Sequence, residues 1–349
     1  MAKPATKGDD RIFVRHVLIV LGLVGLFLLA WHLRTIILML FGAIVVATVF
    51  RALADRIVQW TGIRESFALA VSILAILGTV AALLALFGSA ILAQVQQLRE
   101  ALPAAWQSFE ARIGGLGIGE PVQRWMESLR TQSGLSGFGR FVLSLGAGLA
   151  DVLVVLVAGI FLAAQPRFYA AGAVKLVPPA RRALVSEAMD ESETALRLWL
   201  RGQLIAMLAV GLLVGIGLWA LGMPSAVALG LLAGTLEFIP FAGPLLAAIP
   251  AILLALAVSP DLALWVILLY VAVQQFEGYL LTPLVQQYAV DLPGVVLLLS
   301  LLAFGTLFGT LGIILAAPLT VVTYVLVKRL YVIEALQTPT SIPGEKAAD

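Results

Sequence analysis

The chain has 349 residues, 61% of them hydrophobic and only 12% charged, with a mean hydropathy of +1.05. A soluble domain carries about twice that share of charge, so the composition indicates an all-α, polytopic membrane protein. The net charge of +2 excludes a strongly basic nucleic-acid binder, and the lack of cysteine excludes disulfides, thiolate metal sites and a cysteine nucleophile.

In chain order, residues 1–10 are polar and predicted to be disordered. Lys3, Lys7, Arg11 and Arg15 then precede an apolar run, 17–31. No small-x-small cleavage site follows, so the run reads as an uncleaved anchor with a cytoplasmic N-terminus. His16 and His32 flank it at headgroup level. After a short turn at His32 and Leu33, residues 35–50 form a second span, followed by Arg51, Arg56 and Arg64. Residues 67–92 form a third span that leaves the chain outside.

Residues 94–140 are extramembrane. Val95, Leu98, Leu102, Ala105, Phe109 and Ile113 recur at helical steps, which predicts an amphipathic helix that packs on its own protomer or on another subunit. The G-G-L-G-I-G run at 114–119 lacks the GxxxxGK of a phosphate loop and reads as a turn. A fourth span, 141–164, carries Asp151, placed to pair with Arg140 or with an arginine of another span. The basic loop after it contains a helical-period apolar stripe through Leu184, Ala188, Leu196 and Trp199, which predicts an interfacial helix leading into the next span. That span, 203–221, holds a GxxxG at Gly211 and Gly215.

Two apolar runs, 225–258 and 295–327, are longer than the roughly 20 residues that cross a bilayer, and between them lies a span at 262–281. About eight apolar segments result. The chain divides into three spans with a cytoplasmic tail (1–92), an extramembrane helical segment (93–140) and a fourth span (141–165). A cytoplasmic amphipathic helix (166–200), a transport core of two similar units (201–330) and a polar tail (331–349) complete it.

The first long run contains T-L-E-F-I-P-F-A-G-P-L-L-A-A-I-P at 235–250. Proline removes a backbone donor and clashes with the preceding turn, so the helix should break near Pro240 to Pro244. The second run is built alike: Gly243 follows Pro224 at the same interval as Gly312 follows Pro293, and L-L-A-A-I-P is answered by I-L-A-A-P. Two broken segments at matching positions point to a transporter's site. Each run is either one kinked span or a re-entrant hairpin, in which case the two units enter from opposite faces. Charge bias does not separate these, because both place Lys328 and Arg329 inside.

The stretches E-F-I-P-F-A-G-P-L-L-A-A-I-P (237–250), E-G-Y-L-L-T-P-L-V-Q (277–286) and L-F-G-T-L-G-I-I-L-A-A-P-L (307–319) resemble the autoinducer-2 exporter (AI-2E) family of bacterial membrane proteins. Tyr288 departs from the basic residue found there in relatives. The resemblance implies export of a small polar molecule such as the quorum-sensing signal autoinducer-2, and sodium/proton antiport in some members. It also implies a homopentamer and elevator-like movement of the C-terminal units.

Glu237 beside a broken helix is the leading site candidate, able to bind a proton or cation and couple it to solute movement. Pro240, Gly243 and Pro244 would expose half-helix ends whose partial charges hold polar ligands; the alternative is a packing kink. Gln275 and Glu277, with Gln274, form a second polar cluster, and Thr282 and Pro283 would break the helix after it. In the second unit, Gly309 and Gly312 mark the break, and Thr306 stands where Glu237 aligns. The expected site lies at the bilayer midplane between the two breaks. No H-E-x-x-H helix or aspartyl pair supports an intramembrane enzyme, and neither a cofactor nor a metal is expected. The reading is therefore a multi-pass transporter of the bacterial inner membrane with cytoplasmic termini. Its partners are the lipid bilayer, copies of itself, a small polar solute and H+ or Na+. An oligomeric channel and an antiporter without an organic substrate are the alternatives.

Overall fold

The computed structural model describes residues 7–82, 85, 149–281 and 292–340. The amphipathic segment, the 114–119 turn, Arg140, Thr282, Pro283 and Tyr288 lie outside these residues. Among the described residues every regular element is helical.

Helix α1 (Lys7–His32) is joined to α2 (Arg34–Thr61) by the single residue Leu33. Helix α2 stops at Gly62, whose left-handed φ of 69° lets its N–H reach the Val58 carbonyl. Helix α3 spans Glu65–Ala82, followed by α4 (Leu149–Ala164) and α5 (Pro166–Lys175), which bend away from each other by 92°. Helix α6 (Arg182–Ala220) is the longest, with 39 residues. Helices α7 (Ala226–Leu236) and α8 (Ala242–Val258) flank the first break. Helix α9 (Pro260–Phe276) starts with Pro260 at its first position and with the Ser259 hydroxyl accepting the Leu262 N–H at 3.1 Å. A wider turn, Glu277–Leu281, ends it. Helix α10 (Gly294–Val327) bends at Gly309 and continues as a wider turn, Lys328–Ile333.

Six of these helical stretches are long and apolar enough to cross a membrane, or seven if the bent α4–α5 pair counts as one span. Leu208, Leu212 and Trp219 of α6 are among many large apolar side chains left exposed on the outer surface. Hydrocarbon solvates such a surface and water does not, so the chain is a polytopic helical membrane protein.

The predicted interfacial helix at 166–200 differs from the structure. Residues 166–175 form α5, while residues 182–200 run into the membrane span without interruption as the first half of α6. The apolar stripe is real, since Ala188, Ala195, Leu196 and Trp199 are buried. It packs against α2 and α10 instead of lying on lipid. Ion pairs flank it: Arg197 binds Asp55 of α2 at 2.9 Å and Glu193 at 2.8 Å, and Arg329 binds Glu187 and faces Glu191. On the other side of α2, Arg51 Nε donates to the Ala163 carbonyl and the Ser72 hydroxyl to the Phe50 carbonyl, holding α3 and α4.

The close approach of α6 to α7 depends on four glycines. A Cβ on Gly230 would fall 2.5 Å from the Gly215 Cα, and one on Gly234 would fall 2.6 Å from the Met207 carbonyl oxygen. Gly211 likewise faces Gly230 and Gly234. The predicted GxxxG is thus half of a glycine-on-glycine crossing. Gly230→Ala should therefore cost about 1–3 kcal/mol by overpacking and lower the melting midpoint in detergent. Gly172→Ala, with open space around it, should leave the melt unchanged.

These contacts also fix the direction of the first long run. Gly211 and Gly215 face Gly230 and its neighbours in reversed order, so α7 runs antiparallel to α6. Gly217 meets Leu269, while Gln203 lies at the level of Glu237 and Glu277, so α9 is also antiparallel to α6. The Tyr270 hydroxyl donates to the Ala247 carbonyl at 3.2 Å, and Ser259 joins α8 directly to α9, making that pair antiparallel. Helix α8 therefore returns along the path that α7 entered. Of the two topologies open in the sequence, 225–258 takes the re-entrant one.

The second run folds back too. Residues eight apart in a straight helix are separated by about 12 Å. Here a Cβ on Gly305 would fall 3.0 Å from the Ile313 side chain, and one on Gly312 would fall 2.7 Å from the Phe304 carbonyl carbon. The turn is made at Gly309, whose φ of 66° and ψ of −144° belong to a region essentially confined to glycine.

Candidate functional site

The first hairpin turns through residues 237–241. Two features impose the turn. Pro240 supplies no N–H, and its carbonyl accepts from the Ala242 N–H at 2.8 Å, closing a three-residue turn around Phe241. Phe241 has φ 64° and ψ −47°, a rare and strained conformation for a residue with a side chain. Gly243 then passes so close to the end of α7 that a Cβ would lie 2.6 Å from the Leu236 carbonyl carbon. Pro244 sits in the first turn of α8, where a helix leaves N–H groups unpaired anyway. Gly312 repeats the Gly243 packing in the second hairpin, which makes the two breaks geometrical counterparts.

Glu237 stands at the end of α7 and is 2% exposed. Its Oε2 is buried without a hydrogen-bond partner. Glu277 comes from the end of α9, and its carboxyl is an electrostatic neighbour of the Glu237 carboxyl. Gln274 donates its Nε2 to Glu277 Oε2 at 2.8 Å. Gln203 of α6 donates its Nε2 to the Glu237 main-chain carbonyl at 2.6 Å, and Trp199, one turn earlier, packs edge-on against Phe238 with centroids 5.8 Å apart. Among the described residues, no lysine, arginine or histidine pairs with either carboxyl. Two adjacent carboxylates in apolar surroundings are costly without a compensating positive charge. The arrangement can accept one proton or one small cation between them.

The other predicted residues lie at varying distances from this pair. Gln275 is exposed on α9. Asp151 lies half-buried in the first turn of α4 and makes no ion pair among the described residues. Thr306 is exposed and donates to the Ala303 carbonyl at 2.9 Å, a local bond within its own helix. The second break is also remote: Phe241 approaches Gly294 at the start of α10, and Gly309 lies about 22 Å further along that helix. Leu307 and Phe308, just before Gly309, instead border an apolar cavity with Phe27, Ala30, Trp31 and Arg34. The two breaks thus form separate places in the fold, where the sequence had suggested one midplane site.

Sequence reasoning did not single out Gln203. Its signal was present: an amide at the threshold of an apolar span, four residues after Trp199, so that both project from one face of α6.

Comparison with known proteins agrees with this architecture. The AI-2E family transporter model matches residues 18–331. The putative transport protein YrrI of Bacillus subtilis is 36% identical over 151 residues, 43% of each chain, and YueF of the same organism is 35% identical over 159 residues. The chain spans less than half the length of these two relatives, 43% and 42% respectively. The AI-2 transport protein TqsA of Escherichia coli is 26% identical over 342 residues, 94% of this chain and 95% of that protein. The match runs through both re-entrant hairpins and the carboxyl pair, and the chain belongs to the AI-2E family of membrane transporters.

Proposed function

We propose that this chain is a secondary transporter of the bacterial inner membrane, with cytoplasmic termini, that exports a small polar molecule by alternating access. One proton or one monovalent cation bound by Glu237 and Glu277 moves in exchange and drives the solute outward. The observation that carries this reading is the buried Glu237 at a strained helix break, faced by a second carboxyl from another helix. An intramembrane acidic group beside irregular backbone is where transporters bind their coupling ions. The name of the Escherichia coli relative, an AI-2 transport protein, supports an autoinducer-2-like solute as the first substrate to try. The working form is a homo-oligomer, a pentamer by family resemblance. No catalytic group is assigned.

The sequence contains no cysteine, so a single one can report on the tip. Ala242→Cys, at the first position of α8, should react with membrane-impermeant thiol reagents from a side that changes with solute or with pH. A cysteine sealed from both sides in every condition would reduce the break to a packing kink and overturn the proposal.

A further inference from the structure

Gln203 belongs to α6, whereas the carbonyl it holds belongs to the tip of the first hairpin. The last carbonyls of any helix lack partners within it, and the Glu237 carbonyl is one of these at the end of α7. Gln203 supplies the missing donor across 34 positions of sequence. Trp199 holds the adjacent residue through the Phe238 ring. The peptide carrying Glu237 is therefore gripped by two side chains on one face of α6, immediately before the strained turn at Phe241.

We infer that Gln203 is a positioning residue that latches the first hairpin to α6, aims the Glu237 carboxyl at Glu277, and must release for the tip to move. This rests on the transport reading above. The chemistry of release follows from the bond itself. A buried carbonyl that loses its donor needs another, and a solute carrying hydroxyl groups can provide one. The polar solute then replaces the Gln203 amide on the Glu237 carbonyl, so binding and unlatching are the same exchange. Gln203→Leu keeps a side chain of similar size but removes the donor, and Gln203→Glu replaces the amide donor by a carboxylate.

The test places Ala242→Cys in two backgrounds, with Gln203 intact and with Gln203→Leu, in reconstituted vesicles with autoinducer-2 as the probe. Loss of one neutral hydrogen bond should shift the balance toward the released tip about fivefold. Labelling without solute should rise by that factor, and the solute's further effect should shrink. In flux, the half-saturating solute concentration should change more than the maximal rate. Gln203→Asn, whose shorter amide no longer reaches, should resemble Gln203→Leu. If Ala242→Cys responds to solute equally with and without Gln203, the latch is overturned while the transport reading stands. If it never responds in the intact background, the transport reading itself fails and the latch with it. Should Gln203→Leu not survive purification, Trp199→Phe, which loosens the neighbouring contact while keeping an aromatic ring, must raise labelling for the latch to stand.

Discussion

Glu237→Gln is expected to reduce ion-coupled flux to the level of empty vesicles while leaving expression and the melting midpoint near those of the unmodified protein. Glutamine retains the shape of the side chain but cannot carry the exchanged charge. Glu277→Gln should act on the same step, because its carboxyl is the neighbour that Glu237 faces. The two changes should not add. Residues that work as one unit lose most of their effect with the first substitution, so Glu237→Gln with Glu277→Gln should transport no worse than either alone. Solute flux measured in vesicles under an imposed pH or sodium gradient checks this. Gradient-driven flux that survives Glu237→Gln would remove the carboxyl pair from the mechanism. Additive losses would show that the two glutamates serve separate steps.

The second large effect concerns backbone packing. Gly243→Ala should destabilise the first hairpin by about 3 kcal/mol or more, because the new methyl group overlaps the Leu236 carbonyl, a main-chain group that cannot swing aside as a flexible side chain can. Gly312→Ala meets the Phe304 carbonyl in the same way and should cost a similar amount. Gly309→Ala acts differently: nothing obstructs its methyl group, but the backbone conformation is hostile to any side chain, at a cost of about 1–3 kcal/mol. Thermal melts of the three proteins in one detergent, with Gly172→Ala as the neutral comparison, separate steric overlap from backbone strain. A Gly243→Ala protein that melts with the unmodified one would contradict the packing described for both turns.

The features readable in the sequence were those that depend on local chemistry. Proline and glycine announced the breaks because each acts on its own turn of helix, and the equal intervals from Pro224 to Gly243 and from Pro293 to Gly312 announced that the breaks correspond. Glu237 and Glu277 were each visible as polar residues in apolar runs, but their meeting was not. It requires α7 and α9 to run in the same direction beside α6, a relation carried by the glycine contacts and by no pattern along the chain. The choice between spans and hairpins was hidden for a similar reason, since both leave Lys328 and Arg329 on the same face. The helix expected at 166–200 does lead into the next span, but it starts only at Arg182. Its apolar stripe indicated burial correctly, while the burying surface turned out to be protein.

The unbroken length of α6 has a mechanical consequence. Thirty-nine residues make a rod of about 58 Å, and the end bearing Glu187, Glu191 and Arg197 is tied to α2 and to the tail of α10 through partly exposed charges. Those ties weaken as salt rises, yet the helix they steady is the one that carries Gln203 and Trp199 to the hairpin. A rod transmits rotation along its whole length. Raised ionic strength is therefore expected to loosen the hold of Gln203 and Trp199 on the hairpin, which labelling of Ala242→Cys at low and high salt would measure.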